Sequence, residues 1–382
     1  MTAPRVAIVH DWLTGMRGGE KVLEVLCERY PDADLFTLLH VRGSVSPVIE
    51  GRRIVTSWLQ HLPGARRYYR QGLPIFPLLI EQFDLDRYDV VISSSHCVAK
   101  AVMTRPDAAH VCYCHTPMRY AWDQFDAYFG PARVGRAASA LLRPVLAALA
   151  RWDRATADRV QRYVTNSQHV ARRIRRYYNR EASVVYPPID TTFFQPDASA
   201  VPGNNARSEC LIVSALVPYK RIETAIDACR IAGAGLAIVG DGPDRARLER
   251  AAAEHGAPGN NVRFLGRLSD ADVRTAYQRA AAVLMPGEED FGIVPLEAQA
   301  CGRPVVALAR GGARETIVDG ETGVLVEEPG SDAFAAGIRT ALAHRFDPAA
   351  IRRHAEGFGR ARFGDAIEAI VSETRAGAGR AW

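Results

Sequence analysis

Residues 285–302 have the sequence MPGEEDFGIVPLEAQACG, and the organisation of the chain can be worked out from this stretch. The apolar run just before it predicts a buried strand, which ends in a Pro-Gly turn followed by three acids. Pro295 suits the first position of a helix, and Gly302 is typical of a helix end. We therefore expect a strand, an acidic loop that carries Glu289, and a short helix that carries Glu297.

Two explanations account for acids in this position. Carboxylates that precede a helix commonly cap it and interact favourably with its dipole. Alternatively, Glu289 and Glu297 face one pocket beside backbone N–H groups that attract an anion, which would suit a sugar bound to a diphosphate. On spacing alone, capping is the simpler explanation.

The length of the chain indicates two domains. At 382 residues it exceeds the size of one ordinary hydrophobic core. Residues 197–209 are rich in Pro, Gly, Asn and Ser, which is typical of a linker. We expect an N-terminal domain at 1–195 and a C-terminal domain at 206–361, with a last helix at about 362–382 that packs back on the first domain.

Short apolar runs alternate with helical spacing in both halves, which predicts an α/β fold with two doubly wound, Rossmann-like domains. We expect these domains to face each other across a cleft lined by the carboxyl ends of their strands. The predicted strands lie at 5–10, 34–38, 88–93, 109–115, 164–167 and 182–186 in the first half, and at 210–214, 235–239, 262–268, 281–285, 304–308 and 320–326 in the second.

Three features suggest a ligand site at these strand ends. Gly18 and Gly19 lie in the predicted turn between the first strand and the first helix, where phosphates bind, although their spacing is not GxGxxG. His115 ends a predicted strand, where it either contacts a sugar hydroxyl or caps a turn. Lys220 and Arg221 precede a helix, where cations either await an anion or are ordinary surface charge.

Charge and cysteine content narrow the cellular setting. The net charge is +5, and arginine clusters at 66–70 and 172–176 suit phosphate, an anionic membrane or a solvated helix face. Seven cysteines without framework spacing favour a reducing compartment, and Cys112, Cys114 and His115 lack the second cluster that zinc requires. With no signal-peptide pattern and no run of about 18 apolar residues, we expect a cytoplasmic protein that is either free or peripheral at the inner membrane face, and no nucleic-acid partner.

Several motifs occur in an order that resembles a known family. Glu289 and Glu297 fit an E-x7-E pattern, and the supporting segments are Gly18-Gly19-Glu20, VTNS at 164–167, LVPYKR at 216–221, VGDGP at 239–243, FLG at 264–266 and GETG at 320–323. Over nearly the whole chain this order resembles the retaining GT-B glycosyltransferases of family 4. The run HTPMRYAWD at 115–123 is most similar to mannosyltransferase-type members that build bacterial O-antigens and exopolysaccharides.

The resemblance implies roles for individual residues. Glu289 would bind hydroxyls of the donor hexose, Glu297 would hold the nucleotide ribose, and Lys220 would neutralise the leaving diphosphate. His115 would contact the sugar or accompany the acceptor hydroxyl. Further donor-binding positions would be Gly18, Gly19, Arg221, Gly240, Phe291, Gly292, Ile293 and Val294.

One position departs from the family pattern. Many members carry an arginine five residues before the lysine, where this chain has Ala215. Arg221 is a candidate for the missing charge.

The implied reaction is the retaining transfer of a hexose from a nucleotide sugar, favoured as GDP-mannose, to a saccharide acceptor linked to a lipid diphosphate. We expect no cofactor and no metal. Asp270 and Asp272 match a DxD pattern literally, but their position predicts helix caps. Two alternatives stay open: a UDP-sugar transferase with a soluble acceptor, and a non-catalytic protein that binds nucleotide sugars.

Overall fold

The computed structural model describes residues 4–197, 209–254 and 262–378. The chain divides into two compact units. Unit 1 comprises Met1–Pro188 and Arg360–Trp382, and unit 2 comprises Ile189–Gly359. Most of the predicted linker, residues 198–208, lies outside the described residues.

Unit 1 is built on a seven-stranded, wholly parallel sheet with the order β3-β2-β1-β4-β5-β6-β7. All residues of the two central strands β4 and β5 are buried, as expected for a parallel sheet covered on both faces. The strands are β1 (Val6–His10), β2 (Asp34–Thr37), β3 (Ile54–Thr56), β4 (Val90–Ser95), β5 (Ala109–Cys114), β6 (Arg162–Thr165) and β7 (Ala182–Val184).

Unit 2 is built on a six-stranded parallel sheet with the order β10-β9-β8-β11-β12-β13. This is the Rossmann order. Successive strands are added towards one edge of the sheet from β8 to β10, and towards the other edge from β11 to β13, so that β8 and β11 are neighbours. The strands are β8 (Glu209–Val213), β9 (Gly235–Val239), β10 (Val262–Gly266), β11 (Ala282–Met285), β12 (Val305–Leu308) and β13 (Gly323–Val326).

Helices connect the strands and cover the sheets. In unit 1 they are α1 (Gly18–Arg29), α2 (Pro47–Glu50), α3 (Ala65–Tyr68), α4 (Phe76–Ile80), α5 (Arg119–Trp122), α6 (Phe125–Phe129), α7 (Pro131–Val134), α8 (Arg136–Ala155) and α9 (Gln168–Tyr178). In unit 2 they are α10 (Ile222–Ala232), α11 (Arg245–Glu254), α12 (Asp270–Arg279), α13 (Ile293–Ala300), α14 (Ala313–Thr316), α15 (Ser331–Ala343) and α16 (Pro348–Glu356), and α17 (Arg360–Ala378) returns to unit 1.

The last helix, α17, packs on the sheet of unit 1. The ring of Phe363 contacts that of Tyr113 on β5, with 5.5 Å between their centres. Arg360 donates to Glu24 and Glu28 of α1 at 3.0 and 2.7 Å. Apolar contact and charge pairing therefore hold α17 to the first unit, although it follows the second in the chain.

The change between units falls at Pro188 and Ile189, whereas the sequence placed the first domain's end at 195. The Ile189 N–H donates to the Phe358 carbonyl at 3.0 Å. The Phe194 ring packs against Tyr277 of α12 at 5.9 Å. These contacts bind the segment after Pro188 to unit 2.

One strand of unit 1 was not expected from the sequence. The edge strand β3 was not predicted, because three residues are too few to show a period. No helix in the described part of the chain is long and apolar enough to cross a membrane.

Candidate functional site

In unit 2, the loops that follow β8 and β11 lie at the point where the strand order reverses, which is where ligands bind in such sheets. Lys220 ends a short 3₁₀ turn after β8, and Glu289 lies in the acidic loop after β11. The ammonium of Lys220 forms an ion pair with the Glu289 carboxylate, with side-chain exposures of 21% and 16%. Two residues with separate predicted roles therefore contact each other directly.

Close packing of the two loops brings this pair together. A Cβ atom on Gly287 would lie 2.6 Å from the Tyr219 carbonyl oxygen and 2.9 Å from the Lys220 Cα. Only glycine allows the acidic loop to approach the turn of Lys220 this closely.

The backbone of Glu289 is fixed by a third loop, which follows β12. The Gly312 N–H donates to the Glu289 carbonyl at 2.8 Å. Gly311 has φ +59°, and a Cβ there would lie 2.1 Å from the same carbonyl oxygen. The Gly-Gly pair of this loop thus holds Glu289 in place, a role that its sequence pattern did not indicate.

Helix α13 begins two residues earlier than predicted, at Ile293 rather than Pro295. Gly292 precedes it with φ +89°, and Pro295 occupies the third helical position. Since the first-turn N–H groups have no acceptor within the helix, a proline there costs no hydrogen bond. Ile293 and Val294 supply the N–H groups of this turn, directly after the loop of Glu289.

Glu297 lies on the buried side of α13, with 5% of its surface exposed. Its carboxylate accepts a hydrogen bond from the Tyr277 hydroxyl of α12 at 3.0 Å. Burial, together with the negative charge of Glu297, raises the pKa of Tyr277 well above its ordinary value. Tyr277 therefore stays protonated and holds the carboxylate, a partnership that sequence spacing alone could not reveal.

Two other predicted residues of unit 2 lie in strained or crowded backbone. Arg221 is exposed and has φ +53° at the N-cap of α10. Gly240 has φ +128°, and a Cβ there would lie 1.9 Å from the Ser214 carbonyl oxygen. Gly240 is thus required for packing between the loops after β8 and β9, which explains its presence without a ligand.

In unit 1, the carboxyl ends of β1, β4 and β5 bring three histidines together. His10 Nδ1 lies 3.1 Å from Ser94 Oγ, and the same oxygen lies 2.8 Å from His115 Nε2. The His96 ring lies 6.0 Å from that of His10 and 6.4 Å from that of His115. His115 therefore belongs to a polar cluster at the strand ends.

Asp11 anchors this cluster. Its carboxylate is fully buried and accepts hydrogen bonds of 2.7–2.9 Å from four consecutive backbone N–H groups, at residues 96–99. It also lies 3.1 Å from His96 Nδ1. The loop after β4 is thereby fixed to the end of β1.

Four members of the cluster were not among the predicted site residues: His10, Asp11, Ser94 and His96. A signal existed, since each lies at or just after the carboxyl end of β1 or β4. Polar residues at that end of a buried parallel strand lie on the ligand side of the sheet.

Gly18 and Gly19 open helix α1, which corrects the prediction that they lie in a turn before it. The reason is a cap: the Arg17 N–H donates to the Glu20 carboxylate at 3.1 Å. A Cβ on Gly19 would lie 3.7 Å from both the His10 and His115 rings, in ordinary contact. The first turn of α1 therefore lies directly against the histidine cluster.

Burial keeps two of the histidines neutral. It lowers the pKa of His115 well below its ordinary value, and charge on His96 and His10 acts in the same direction. Burial also lowers the pKa of His96, although nearby Asp11 opposes this. A neutral imidazole has one donor and one acceptor nitrogen, so the hydrogen bonds around each ring decide which is which.

The acids of the literal DxD pattern lie in the first turn of α12. Ser269 is the N-cap, and its hydroxyl accepts from the Asp272 N–H at 3.2 Å and donates to the Asp272 carboxylate at 2.6 Å. Asp270 and Asp272 thus take the helix-start position that the sequence predicts.

Two family models match the chain and together cover most of it. The model of Glycosyltransferase Family 4 matches residues 16–193, and that of Glycosyl transferases group 1 matches residues 197–358. The chain belongs to glycosyltransferase family 4 and has the GT-B fold. This confirms the predicted family and fold class.

Curated relatives share about a third of the aligned residues. A GDP-mannose-dependent alpha-(1-6)-phosphatidylinositol monomannoside mannosyltransferase of Mycolicibacterium smegmatis is 35% identical over 176 residues, 41% of this chain and 46% of the relative. A D-inositol 3-phosphate glycosyltransferase of Geodermatophilus obscurus is 33% identical over 244 residues, 57% of this chain and 53% of the relative. The chain spans about half the length of these relatives.

Solved structures agree in fold over nearly the whole length. Sucrose-phosphate synthase from Thermosynechococcus elongatus has a TM-score of 0.72 at 19% identity, covering 98% of this chain and 100% of that protein. Anabaena Alr3699/HepE in complex with UDP-glucose has a TM-score of 0.69 at 19% identity, covering 96% and 99%. At this identity the likeness establishes the fold alone.

Proposed function

We propose that this glycosyltransferase transfers mannose from GDP-mannose, with retention of configuration, to a saccharide acceptor carried on a lipid diphosphate. The choice of donor draws on the mycobacterial relatives, which are named as GDP-mannose-dependent mannosyltransferases. The choice of acceptor draws on the resemblance of residues 115–123 to enzymes of bacterial surface polysaccharide synthesis.

The observation that carries the proposal is the Lys220–Glu289 ion pair beside the start of α13. A cation, a carboxylate and the N–H groups of Ile293 and Val294 are the groups that a sugar diphosphate requires. Lys220 would move from Glu289 to the diphosphate when the donor binds, and Glu289 would then accept hydrogen bonds from hexose hydroxyls. The ion pair thus keeps both charges partnered until the donor arrives.

The reaction follows from these positions. The bond between the anomeric carbon and the diphosphate oxygen breaks, and negative charge develops on the leaving phosphate. Lys220 and the first-turn N–H groups of α13 would stabilise that charge where it forms. The acceptor oxygen bonds to the same face of the anomeric carbon, and its proton passes to the departing phosphate oxygen. No enzyme nucleophile is required, so Glu289 serves as a sugar ligand.

Exposed apolar side chains among arginines support a membrane-bound acceptor. Leu141 of α8 is 73% exposed, and Leu78 of α4 is 63% exposed. Arg143 lies near Leu141 on the same helix, and its guanidinium covers the Phe125 ring at 4.5 Å. Such a mixture suits the interface of an anionic membrane. Sedimentation with anionic vesicles at low salt tests this part, and failure to sediment would remove it.

The reaction itself is tested by incubating the protein with GDP-mannose and a membrane extract, and determining the anomeric configuration of the product by NMR. We expect an α-mannosyl product. Transfer from UDP-sugars alone would replace the mannose proposal with the UDP-sugar alternative. Binding of a nucleotide sugar without transfer to any acceptor would favour the non-catalytic alternative.

A further inference from the structure

The histidine cluster of unit 1 contains a continuous line of polar groups from Glu20 to His115. Glu20 Oε1 lies 3.9 Å from His10 Nε2, His10 Nδ1 lies 3.1 Å from Ser94 Oγ, and Ser94 Oγ lies 2.8 Å from His115 Nε2. His10 and Ser94 are fully buried, and Glu20 is 4% exposed. With so little access to water, these groups orient one another.

Ser94 couples the two histidines because its hydroxyl has a single proton. Its oxygen lies within hydrogen-bond distance of one nitrogen of each ring. It can therefore donate to only one of the two rings, and if it donates to His10 it can only accept from His115. A His10 Nδ1 that acts as acceptor consequently requires a proton on His115 Nε2.

Glu20 decides the direction of this coupling. Its Oε2 accepts a hydrogen bond from the Arg17 N–H at 3.1 Å, and its Oε1 faces His10 Nε2. His10 Nε2 is buried and has no hydrogen-bond partner within the described residues, so the carboxylate is its electrostatic neighbour. A negative charge there favours a proton on Nε2 and leaves Nδ1 as an acceptor.

The position of the proton on His115 follows from that on His10. His10 Nδ1 accepts the Ser94 hydroxyl proton, and Ser94 Oγ accepts from His115 Nε2–H. His115 then has no proton on Nδ1. No other residue in the described part of the chain forms a hydrogen bond with that nitrogen, and the side chain is half-buried.

We propose that Glu20, His10 and Ser94 act as positioning residues that fix the tautomer of His115, so that its Nδ1 is an acceptor for a substrate hydroxyl. The inference deepens the proposed function, on which it rests, because it gives His115 a defined role towards a hydroxyl-bearing ligand. Asp11 and His96 lie beside these residues but are not part of the line of hydrogen bonds, because His96 Nδ1 faces Asp11 at 3.1 Å.

The chain offers a matched control in the neighbouring residue. Ser93 Oγ lies 2.9 Å from His110 Nε2, and both residues are fully buried. Ser93→Ala therefore removes the same kind of buried Ser–His contact, from the same strand, without touching the line to His115. Ser94→Ala and Ser93→Ala should lower stability by similar amounts.

Glu20→Gln is the decisive variant, since it keeps the shape of the side chain. Its amide oxygen would accept from the Arg17 N–H, and its NH₂ group would face His10 Nε2. That nitrogen then becomes the acceptor, and Nδ1–H donates to Ser94. The Ser94 proton is no longer committed to His10, and we expect it to be donated to His115 Nε2. The proton of His115 moves to Nδ1.

The test is ¹⁵N NMR of the full chain with labelled histidine, with His115 assigned from the signals that His115→Gln removes. We expect the wild type and Ser93→Ala to hold the His115 proton on Nε2, Glu20→Gln to hold it on Nδ1, and Ser94→Ala to populate both forms. A wild type with the proton on Nδ1, or a Glu20→Gln spectrum identical to that of the wild type, would overturn the proposal.

Kinetics give a second readout. In Glu20→Gln, kcat should fall at least about tenfold while KM for the nucleotide sugar stays the same, and Ser93→Ala should retain both values. A rise in KM for the nucleotide sugar without a change in kcat would contradict the positioning role. The NMR result requires no turnover, so failure of GDP-mannose as donor leaves it intact.

Discussion

Lys220 and Glu289 form a half-buried ion pair although 69 positions separate them in the chain. The pair forms because the strand order of unit 2 places the loops after β8 and β11 side by side. Removing either charge leaves the other without its partner at the proposed donor site.

Glu289→Gln should lower the turnover of donor by about 10²–10³-fold, because a neutral amide binds sugar hydroxyls less strongly and no longer balances Lys220. Initial rates with GDP-mannose measure this. Glu288→Gln is the control, since Glu288 is the adjacent acid and is exposed. Equal rates for the two variants would remove Glu289 from the site.

Arg221→Gly should increase the free energy of unfolding by about 1 kcal/mol, because the left-handed backbone at φ +53° penalises a side chain. If the arginine also contacts the diphosphate, KM for the donor should rise several-fold. Asn179 provides the control: it has φ 56° at the end of α9, and Asn179→Gly should give a smaller gain because asparagine tolerates this conformation. An unchanged KM in Arg221→Gly would leave Arg221 outside the donor site.

Lys100→Met should destabilise unit 1 by about 3–5 kcal/mol, because it leaves the Asp153 carboxylate buried without its cation. Lys100 Nζ lies 3.1 Å from Asp153 Oδ1, and the two side chains are 1% and 0% exposed. Urea unfolding measures the loss. The exposed Arg175–Glu181 pair is the control, and Arg175→Met should cost at most about 1 kcal/mol. Similar losses in both variants would contradict the buried-pair account.

Stability should fall in mild acid. Burial lowers the pKa of His110 to about 4, against 6.5 in the unfolded chain. Between these values the unfolded chain binds the proton and the folded chain does not, so stability declines as pH falls through this window. His110 alone accounts for about 2 kcal/mol between pH 7 and pH 5.

Urea midpoints at pH 7 and pH 5 test this expectation. In His110→Gln the difference between the two pH values should shrink. A wild-type midpoint that does not change with pH would contradict the lowered pKa.

The sequence predicted the fold class well because buried parallel strands are continuous apolar runs, and two sets of them were visible. It predicted less about how residues meet. The Lys220–Glu289 pair and the Tyr277–Glu297 hydrogen bond join residues far apart in the chain, and no spacing rule links them.

The cluster around His115 shows the same limit. Its members come from the ends of β1, β4 and β5. Their proximity follows from the order of the strands in the sheet, which apolar periodicity does not reveal. Two helices begin earlier than predicted, each for a local reason. The cap at Arg17 lets α1 begin at Gly18, and the tolerated Pro295 lets α13 begin at Ile293.

Unit 2 is proposed to bind a guanosine diphosphate sugar through Lys220 and Glu289, and thermal unfolding with GDP, UDP or ADP measures this binding most directly. At a hundredfold excess over Kd, a ligand of the folded state adds about 2.7 kcal/mol of stability. We predict that GDP raises the Tm of the wild type by several degrees, and that Lys220→Ala abolishes most of the increase. Stabilisation by UDP alone, or an equal increase in Lys220→Ala, would contradict the account.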